Sequence, residues 1–250
     1  MRRLVLLLAL FMWVGQARAS AVLERVNSEY FSIASALVTA YPFTFAVWVK
    51  ATDETSDHVL LGVGKSAAAD DFHGLDLNGS SGDYCRARTR AGGASAVQAI
   101  DGNYTANTWH LCVGVYTNAT SRKAQLDSGD PTENTTSQTA VGMNQTILGK
   151  SPHSALSGFC DCKLAHVAIW DVALTDVELD QLAGGVNPQD IQAGNLVEYW
   201  SLATDANGLN GNNWTPNTTS GAITYDTGDN PAVNPPASGG GSTGVLRRRN

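Results

Sequence analysis

The sequence predicts an all-β fold in which strands form a sandwich or a barrel around one core. Short apolar segments recur along the chain and are separated by clusters of turn-forming residues, a spacing typical of these architectures. Charged residues make up only 16% of the 250 residues, and the 25 glycines suit tight connections between strands. A chain of this length accommodates one large β domain with short additional segments.

Eleven segments have the composition of strands. The clearest is 43–50, where Phe43, Phe45, Val47 and Val49 alternate with other residues and predict one buried face. The other ten segments are 30–33, 58–63, 73–77, 84–90, 96–100, 109–116, 121–126, 145–148, 163–170 and 196–202.

One short helix is predicted near residues 175–183. Thr175 and Glu178 have the spacing of a capping box, in which each side chain accepts a hydrogen bond from the backbone N–H of the other residue. The buried stripe of this helix is predicted to consist of Val177, Leu179 and Leu182.

Residues 1–19 are predicted to be a secretory signal peptide. The basic pair Arg2-Arg3 precedes an apolar stretch, 4–14, and Ala17-Arg18-Ala19 has the small-x-small pattern of a cleavage site before Ser20. An uncleaved membrane anchor is the alternative, although the stretch is short for a membrane span. No later apolar segment is long enough to cross a membrane. We therefore expect a secreted protein that is extracellular or associated with a cell surface.

Composition divides the remaining chain into three parts. Residues 20–204 hold the strand-like segments and are expected to form the main domain. Residues 205–234 are rich in Asn, Thr, Gly and Asp, and we expect them to pack on that domain as a C-terminal extension. Residues 235–250 combine Pro, Gly and Ser with three consecutive arginines and predict a flexible basic tail.

The charge of the chain argues against a nucleic-acid partner. The formal net charge is −7, and it becomes more negative once residues 1–19, with their three arginines, are removed. Three of the remaining positive charges lie together in the tail, so the main domain is strongly acidic. Because such a surface repels phosphate backbones and anionic lipids, we expect no nucleic acid binding and no membrane insertion after signal cleavage.

Four cysteines, Cys85, Cys112, Cys160 and Cys162, predict disulfides in an exported chain. Three connectivities are possible. A Cys160–Cys162 bridge would close a very small ring, so we favour pairings of Cys160 and Cys162 with Cys85 and Cys112. A zinc site is the alternative, which the Cys-x-Cys spacing does not favour.

Seven Asn-x-Ser/Thr sequons are also present. They fit a turn-rich Asn/Thr surface, and N-glycosylation in a eukaryotic secretory pathway is the alternative explanation. The sequon asparagines are Asn78, Asn103, Asn118, Asn134, Asn144, Asn213 and Asn217.

Four segments occur in an order that points to a known family. Segment 43–50 reads F-T-F-A-V-W-V-K, and 104–110 ends in a Trp-His pair before the next strand. The strand at 146–149 and the strand, turn and helix of 167–185 follow. Together, over residues 30–202, they resemble the laminin G-like and pentraxin domains of the concanavalin A-like lectin/glucanase superfamily. The resemblance implies a two-sheet antiparallel jelly-roll sandwich that binds glycan or protein at a cell surface or in a matrix.

Two details of the resemblance bear on pairing within the fold. In pentraxins, the cysteine that Cys112 resembles has its partner in an earlier strand, where this chain has Ala46. Cys112 must therefore pair differently or stay free. In many bacterial laminin G-like domains a strand similar to 196–202 opens the chain, whereas here it closes it, and we expect it to pair near the N-terminal strand.

Calcium-dependent binding, which the resemblance to pentraxins suggests, is not expected here. Calcium needs several oxygen ligands, usually carboxylates. Pentraxin ligands cluster in the loop after the strand that 146–149 resembles, where this chain reads Lys150-Ser151-Pro152-His153 without a carboxylate. We therefore expect no metal and no other cofactor. The alternative is a calcium site built from Asp70, Asp71, Asp76 or Asp205.

The chain is not expected to be an enzyme. Glucanases of this superfamily carry Glu-x-Asp-x-x-Glu on a strand, because two carboxylates must flank the glycosidic bond. The nearest match, Glu178-Leu179-Asp180, has Ala183 at the third position and lies on the predicted helix. The capping box gives Glu178 a structural role instead.

Four aromatic residues are candidates for ligand contacts, because sugars stack on Trp and Tyr faces. Trp48 and Trp170 are out of phase with the aliphatic residues of their strands, which predicts side chains on the outer face of a sheet. Tyr104 and Trp214 lie in segments rich in Asn and Gly. Burial under a loop is the alternative for each of them.

We therefore expect a secreted, lectin-like module for binding or adhesion, which recognises a glycan or an extracellular protein without catalysis. A structural protein of a virion or cell-surface layer, in which the sandwich associates with copies of itself, is the first alternative. A glycan-active enzyme is the second, and the missing carboxylate motif argues against it.

Overall fold

Two antiparallel sheets stack face to face and enclose most of the apolar side chains. The structure is a computed structural model, and it describes residues 19–67, 71–153 and 158–237. In chain order the strands are β1 (Ser20–Leu23), β2 (Tyr30–Ile33), β3 (Phe43–Ala51), β4 (His58–Gly64), β5 (Phe72–Asn78), β6 (Tyr84–Arg90), β7 (Val97–Asp101), β8 (His110–Asn118), β9 (Ser121–Leu126), β10 (Thr132–Asn134), β11 (Gln145–Leu148), β12 (Cys162–Trp170), β13 (Leu196–Trp200), β14 (Thr215–Asn217) and β15 (Thr224–Asp226). The helices of the described ranges are α1 (Asp176–Ala183) and the short 3-10 helices Arg25–Asn27, Pro188–Asp190 and Ala193–Asn195.

The two sheets have eight and seven strands. Sheet A runs in the order β10, β9, β8, β3, β12, β1 and β15, and β13 also pairs with β12. Sheet B runs in the order β14, β2, β11, β4, β5, β6 and β7. Every one of these strand pairs is antiparallel. The predicted two-sheet antiparallel jelly-roll sandwich is therefore confirmed.

All eleven predicted strands are present, with ends that shift by no more than two residues. The sequence does not predict β1, β10, β14 or β15, which have only three or four residues each. Three or four residues are too few to display a periodic pattern. In addition, β10, β14 and β15 are edge strands whose side chains stay largely exposed, so no apolar alternation is needed there.

The main core lies between the two sheets. Phe43, Phe45, Val47 and Val49 of β3 are all buried, as the alternation in 43–50 predicts. The ring of Phe43 stacks on that of Tyr116 in β8, with centroids 4.6 Å apart. Burying one large apolar side chain stabilises a fold by roughly 1.5–3 kcal/mol. The four buried side chains of β3 therefore contribute substantially to the packing of the two sheets. Sheet B contributes the aliphatic side chains of Leu61, Val63, Leu75 and Leu77.

One disulfide crosses the core and the other is local. Cys85 of β6 bonds to Cys112 of β8, which links the two sheets, and Cys160 bonds to Cys162. The favoured pairing of Cys160 and Cys162 with Cys85 and Cys112 is therefore wrong. The reason is placement: Cys85 and Cys112 face each other across the core with their Cα atoms 5.7 Å apart. Cys160 and Cys162, at the start of β12 and separated only by Asp161, are left with each other.

Helix α1 covers the outer face of sheet A. Its capping box between Thr175 and Glu178 is present as predicted. Leu179 and Leu182 are buried against a second apolar cluster on that face of the sheet. Val177, predicted to be buried with them, is 68% exposed. It lies two residues before Leu179, and therefore about 200° away around the helix axis.

The C-terminal extension pairs with both sheets. β14 pairs with β2 in sheet B, and β15 pairs with β1 in sheet A.

The strand predicted over 196–202, here β13, also belongs to the sandwich. It pairs with residues 167–170 of β12, and β1 pairs with residues 162–164 of the same strand. The two strands therefore lie along one edge of β12, which agrees with the expected pairing near the N-terminal strand.

A charged network holds the segment after β15 against the sandwich. The Asp229 carboxylate accepts hydrogen bonds from Lys50 at 3.0 Å, from Lys163 at 2.7 Å and from the indole N–H of Trp109 at 2.7 Å. Its carbonyl oxygen accepts one from the Ser20 hydroxyl at 2.8 Å. Burial by itself would raise the pKa of the Asp229 carboxyl, but the bonds from Lys163, Trp109 and Lys50 outweigh it and hold this pKa well below its usual range.

Two sequence predictions fall outside the described residues. The signal peptide does so apart from Ala19, and the tail does so from residue 238 onward. In the part of the chain that the structure describes, no helix is both long and apolar enough to cross a bilayer.

The Cys85–Cys112 bridge is expected to contribute more stability than the Cys160–Cys162 bridge. A Cys85→Ala/Cys112→Ala variant should lose about 3 kcal/mol of unfolding free energy, because this bridge joins residues 27 positions apart and restricts the unfolded chain. The matched control is Cys160→Ala/Cys162→Ala, whose bridge spans only two positions. Urea unfolding without reductant measures both losses, and a larger loss in the control would contradict the expectation.

Asp229→Asn is expected to lower the free energy of unfolding at neutral pH. A carboxyl whose pKa is depressed in the folded state stabilises the fold above its unfolded pKa of about 3.9, and this contribution disappears as the pH falls toward the folded value. The difference between wild type and variant should therefore shrink on acidification below about pH 4. Urea unfolding at neutral and acidic pH measures it. Asp176→Asn, which removes the exposed partner of Lys123, is the control and should change little at either pH. A difference that persists at acidic pH would show that the network does not act through this carboxylate.

Candidate functional site

The outer face of sheet B carries a groove with a volume of about 560 Å³. The alternation of side chains along a strand determines what faces it. Leu75 and Ala87 point into the core, so their neighbours Asp76, Arg86 and Arg88 point outward. The segment after β11 forms one wall and the turn between β6 and β7 forms the other. These walls contribute Ser151, His153, Gly158, Ser95 and Ala96.

Arginines occupy three successive outward positions of β6, at 86, 88 and 90. Arg86 binds Asp76 through two bonds, Nε to Oδ1 at 2.8 Å and Nη2 to Oδ2 at 3.1 Å, and it also reaches Asp57 at 3.0 Å. Arg88 pairs with the same Asp76 through its Nη2. The Asp76 side chain is fully buried. The buried carboxylate of Asp76 therefore holds two guanidinium groups side by side, and that of Arg88 lines the groove.

Asp57 and Arg86 stabilise each other's charged forms. Burial would raise the pKa of the Asp57 carboxyl, but Arg86 and Ser80 outweigh it and lower this pKa. Burial likewise lowers the pKa of the Arg86 guanidinium, while Asp76 and Asp57 more than compensate and raise it. The Nε of Arg88 is different, since it is buried and has no hydrogen-bond partner in the described part of the chain. A buried N–H in this position is a donor that an acceptor oxygen would satisfy.

Phe72 supports the polar groups of the groove from below. The guanidinium carbon of Arg88 lies 5.5 Å from the centre of its ring, and the ring of His153 lies 5.6 Å away. Phe72 itself is only 3% exposed. It therefore orients Arg88 by a cation–π contact and does not offer an open aromatic face to a ligand.

Two glycines of β4 allow one wall to lie directly on the sheet. A Cβ atom at Gly62 would lie 2.6 Å from Cγ of Pro152, and one at Gly64 would lie 1.8 Å from the Pro152 carbonyl oxygen. Backbone contacts fix the same wall, because the Val59 N–H donates to the Gly158 carbonyl at 3.1 Å. The position of this wall is therefore determined by its close contact with β4.

The groove offers hydrogen-bond donors but no pair of open carboxylates. The nearby carboxylates of Asp57 and Asp76 both accept bonds from Arg86. The near match to a glucanase motif lies elsewhere, on α1. There Glu178 closes the capping box, and Asp180 accepts a bond from the Gly129 N–H at 3.2 Å. Within the described ranges, these carboxylates have structural partners.

No group of three or more His, Cys, Asp or Glu side chains within the described ranges is arranged to hold a metal ion. Of the carboxylates considered for calcium, Asp71 pairs with Lys65 at 3.3 Å, and Asp205 accepts the backbone N–H of Asn207 at 3.0 Å. Asp70 lies outside the described residues.

Three of the four aromatic residues predicted as ligand contacts are buried. Trp170 is fully buried and donates its indole N–H to the Ile191 carbonyl at 2.8 Å. Tyr104 is 1% exposed, and Trp214 is 4% exposed with its ring 4.6 Å from that of Trp200. Trp170 lies on the outer face of sheet A, as its phase predicts, but the segment that carries Ile191 covers it. Tyr104 and Trp214 belong to the main core between the sheets. These three rings therefore have no exposed face for a ligand, which contradicts their prediction as surface contacts.

Trp48 is the fourth aromatic candidate and lies on the outer face of sheet A, as its phase predicts. It is half-buried and packs against the apolar cluster beneath α1. The groove is on the other side of the sandwich, so the structure does not bring Trp48 together with the arginine row. A ligand contact by Trp48 stays a prediction.

The residues that the sequence prediction missed are the arginines of β6. Their signal is visible in the chain, where 86–90 reads Arg-Ala-Arg-Thr-Arg. Alternation of arginine with small residues on a strand predicts one charged face and one buried face. Three cations on one face of one strand stand out in an otherwise acidic chain.

Comparison with known proteins agrees with this fold. A family model described as the concanavalin A-like lectin/glucanases superfamily matches residues 25–180. No curated protein matches the sequence. Among solved structures, a putative carbohydrate binding protein from Bacteroides ovatus is similar, with a TM-score of 0.57 and 16% sequence identity. The similarity covers 84% of this chain and 60% of that one.

Two further solved structures are similar over 68% of this chain. One is the native heptameric SAP-like pentraxin from Limulus polyphemus, with a TM-score of 0.50, 13% identity and 83% of that chain covered. The other is the CBM40 of the Ruminococcus gnavus IT-sialidase bound to α2,3 sialyllactose, with a TM-score of 0.52, 13% identity and 100% of that chain covered. At these identities the likeness establishes the fold alone.

Gly64→Ala is expected to destabilise the protein by about 1–3 kcal/mol, because the new methyl group meets the backbone of Pro152 and displaces the groove wall. Gly74→Ala is the matched control on the same face of sheet B. Its Cβ atom would lie 3.4 Å from the Phe72 ring and 3.9 Å from the Leu61 carbonyl oxygen, which are ordinary van der Waals distances, so it should leave stability unchanged or raise it slightly. Thermal unfolding of both variants gives the comparison, and equal effects would show that the wall does not lie against β4.

Proposed function

Since the chain belongs to the concanavalin A-like lectin/glucanases superfamily, we propose that it is a non-catalytic module that binds saccharides in the groove of sheet B. The observation that carries this proposal is the arginine row of β6, in which the buried Asp76 carboxylate holds Arg88 at the floor of an open groove that Arg90 also lines. The volume of about 560 Å³ is that of a site for a small ligand or a short segment of a chain.

The donors of the groove suit the oxygen atoms of a saccharide. Arg88 contributes a partly exposed guanidinium group at the floor, and Ser95, Ser151 and His153 line the walls. Hydrogen bonds from a charged donor are stronger than those between neutral groups, and a fixed donor loses little entropy on binding. Guanidinium groups also favour ligands that carry a carboxylate or a sulfate, because they bind such groups with matching geometry. The names of the similar solved structures, a putative carbohydrate binding protein and a sialidase CBM40, support the same class of ligand.

The absence of catalysis is part of the proposal. Hydrolysis of a glycosidic bond needs two carboxylates that flank it. In the described groove, Asp57 and Asp76 are both engaged by Arg86, which leaves no acid and base in place. Tight ion pairing of this kind favours holding a ligand over transforming it.

We also propose that binding takes place outside the cell. The predicted signal peptide over residues 1–19 and the two disulfides support export, since disulfides persist in oxidising compartments. N-terminal sequencing of exported protein is expected to begin at Ser20, and an intact N-terminus on exported material would contradict this cleavage site.

Binding to a printed array of neutral and acidic glycans tests the proposed function. Wild type is expected to bind a subset of them, and Arg88→Ala should weaken that binding about tenfold or more, because a hydrogen bond from a charged donor is lost. Lys123→Ala is the matched control, since it removes the same charge from an exposed ion pair on sheet A. Its binding should equal that of wild type.

Two outcomes of the array experiment would overturn the proposal. The first is a folded wild-type protein that binds no glycan. The second is equal binding by Arg88→Ala and Lys123→Ala, which would place any saccharide site outside the groove. Thermal unfolding of each variant establishes that both are folded.

A further inference from the structure

A second cavity, with a volume of about 280 Å³, lies beside β13 on the opposite side of the sandwich from the groove. Tyr199 of β13 forms part of it and also belongs to the apolar cluster on the outer face of sheet A. The side chains that line it are uncharged, and most of them are polar. They include Asn187, Gln189, Tyr199, Ser201, Asn207 and Leu209.

One rim of this cavity is fixed by a buried carboxylate. Glu198 is fully buried, and within the described ranges no lysine or arginine pairs with it. Instead, its oxygens accept backbone N–H bonds from Asn210 at 2.7 Å and Asn212 at 2.9 Å, together with a bond from the Asn212 side chain at 3.0 Å. A Cβ atom at Gly208 would lie 2.6 Å from the Glu198 carboxyl carbon, so the loop closes tightly on this group.

The fixed loop presents two side chains at the cavity. Leu209 donates its N–H to the Tyr199 carbonyl at 3.0 Å while its side chain remains 53% exposed. Asn207 is exposed on the other side of Gly208. The backbone of this loop is bonded to Glu198 and Tyr199, so an apolar group and an amide lie next to each other at the cavity, as a preorganised binding site requires.

The opposite rim is the 3-10 helix Pro188–Asp190 and the residue before it. Asn187 is buried, accepts the Gln189 N–H at 3.0 Å and donates to the Asn234 carbonyl at 3.0 Å. The side-chain amides of Gln189 and Asn207 form no hydrogen bond with any described residue. Two unused amides therefore face a cavity whose other polar groups are held in place.

The floor of the cavity is also uncharged at neutral pH. The Tyr199 hydroxyl lies 2.6 Å from Nδ1 of His166, which is held at a φ of 47° within β12. Burial lowers the pKa of His166 to about 4, so its ring is neutral. A non-glycine residue with positive φ inside a strand costs conformational energy, and such positions cluster at functional sites.

We propose that this cavity is a second binding site, which takes one neutral sugar residue at the end of a glycan. The apolar face of the sugar ring would rest on Leu209, and its hydroxyl groups would bond to the amides of Gln189 and Asn207. A charged sugar is disfavoured because no ionised side chain lines the described cavity to pair with it. The site is independent of the groove, and its position on the opposite face gives the module two separate points of attachment.

Titration of the ¹⁵N-labelled full chain with methyl glycosides of glucose, galactose and N-acetylglucosamine tests this site. At least one of these probes is expected to shift the amide resonances of Gln189, Asn207 and Leu209 at millimolar concentration. Gln189→Ala and Asn207→Ala should each weaken that binding about fivefold, through the loss of one hydrogen bond. Both positions lie on the rim, so folding should be retained. Lys123→Ala, whose residue lines neither cavity and forms an exposed ion pair with Asp176, is the control and should leave the affinity unchanged.

Three results would overturn the second site. They are no shift at Gln189, Asn207 and Leu209 with any of the three probes, shifts confined to the groove of sheet B, and a methyl glucuronide that binds as well as its neutral counterpart. The second result would leave the proposed function intact. Conversely, shifts at Gln189, Asn207 and Leu209, together with loss of array binding by Arg88→Ala, would show that the cavity and the groove bind saccharides independently.

Discussion

The pleat of β5 and β6 is the constraint on which the groove depends. Because successive side chains of a strand face opposite sides, burial of Leu75 and Ala87 in the core places Asp76, Arg86 and Arg88 on the outer face. A slip of one residue between these strands would bring charges into the core. The apolar contacts inside and the ion pairs outside therefore specify the same register, and the core and the site stabilise each other.

Much of the fold follows from local pattern, and what escapes prediction depends on contacts distant in the chain. The alternation in 43–50 and the spacing of Thr175 and Glu178 are local, and the structure contains the strand and the cap that they predict. The burial of Trp170 depends on the 3-10 helix region that returns over it, which no feature of its own strand reveals. Disulfide pairing also depends on contacts distant in the chain, because the separation of Cys160 from Cys162 does not reveal which cysteine faces Cys85.

The two candidate sites also differ in whether a local sequence pattern predicts them. The alternation Arg-Ala-Arg-Thr-Arg over 86–90 is a local signal and identifies the groove once it is seen as a strand face. The cavity beside β13 has no such signal. It arises because Glu198 is buried without a cation and organises a distant loop through backbone N–H groups, and a sequence pattern does not record backbone donors. The two sites also differ in their hydrogen-bonding groups, which are charged donors in the groove and neutral amides in the cavity.

The pairing of β1 with β15 determines how the sandwich would respond to mechanical force. Ser20 lies opposite Asp226, and the chain then continues along the sandwich, where Asn234 donates its N–H to the Gly185 carbonyl and accepts a bond from the Asn187 side chain. Tension applied to the two ends would load the contacts of residues 229–237 first, and then the β1–β15 hydrogen bonds one after another. A module that is anchored at both ends would therefore lose Pro236 and the Asn187–Asn234 bond from the second cavity before the strands that carry the groove separate.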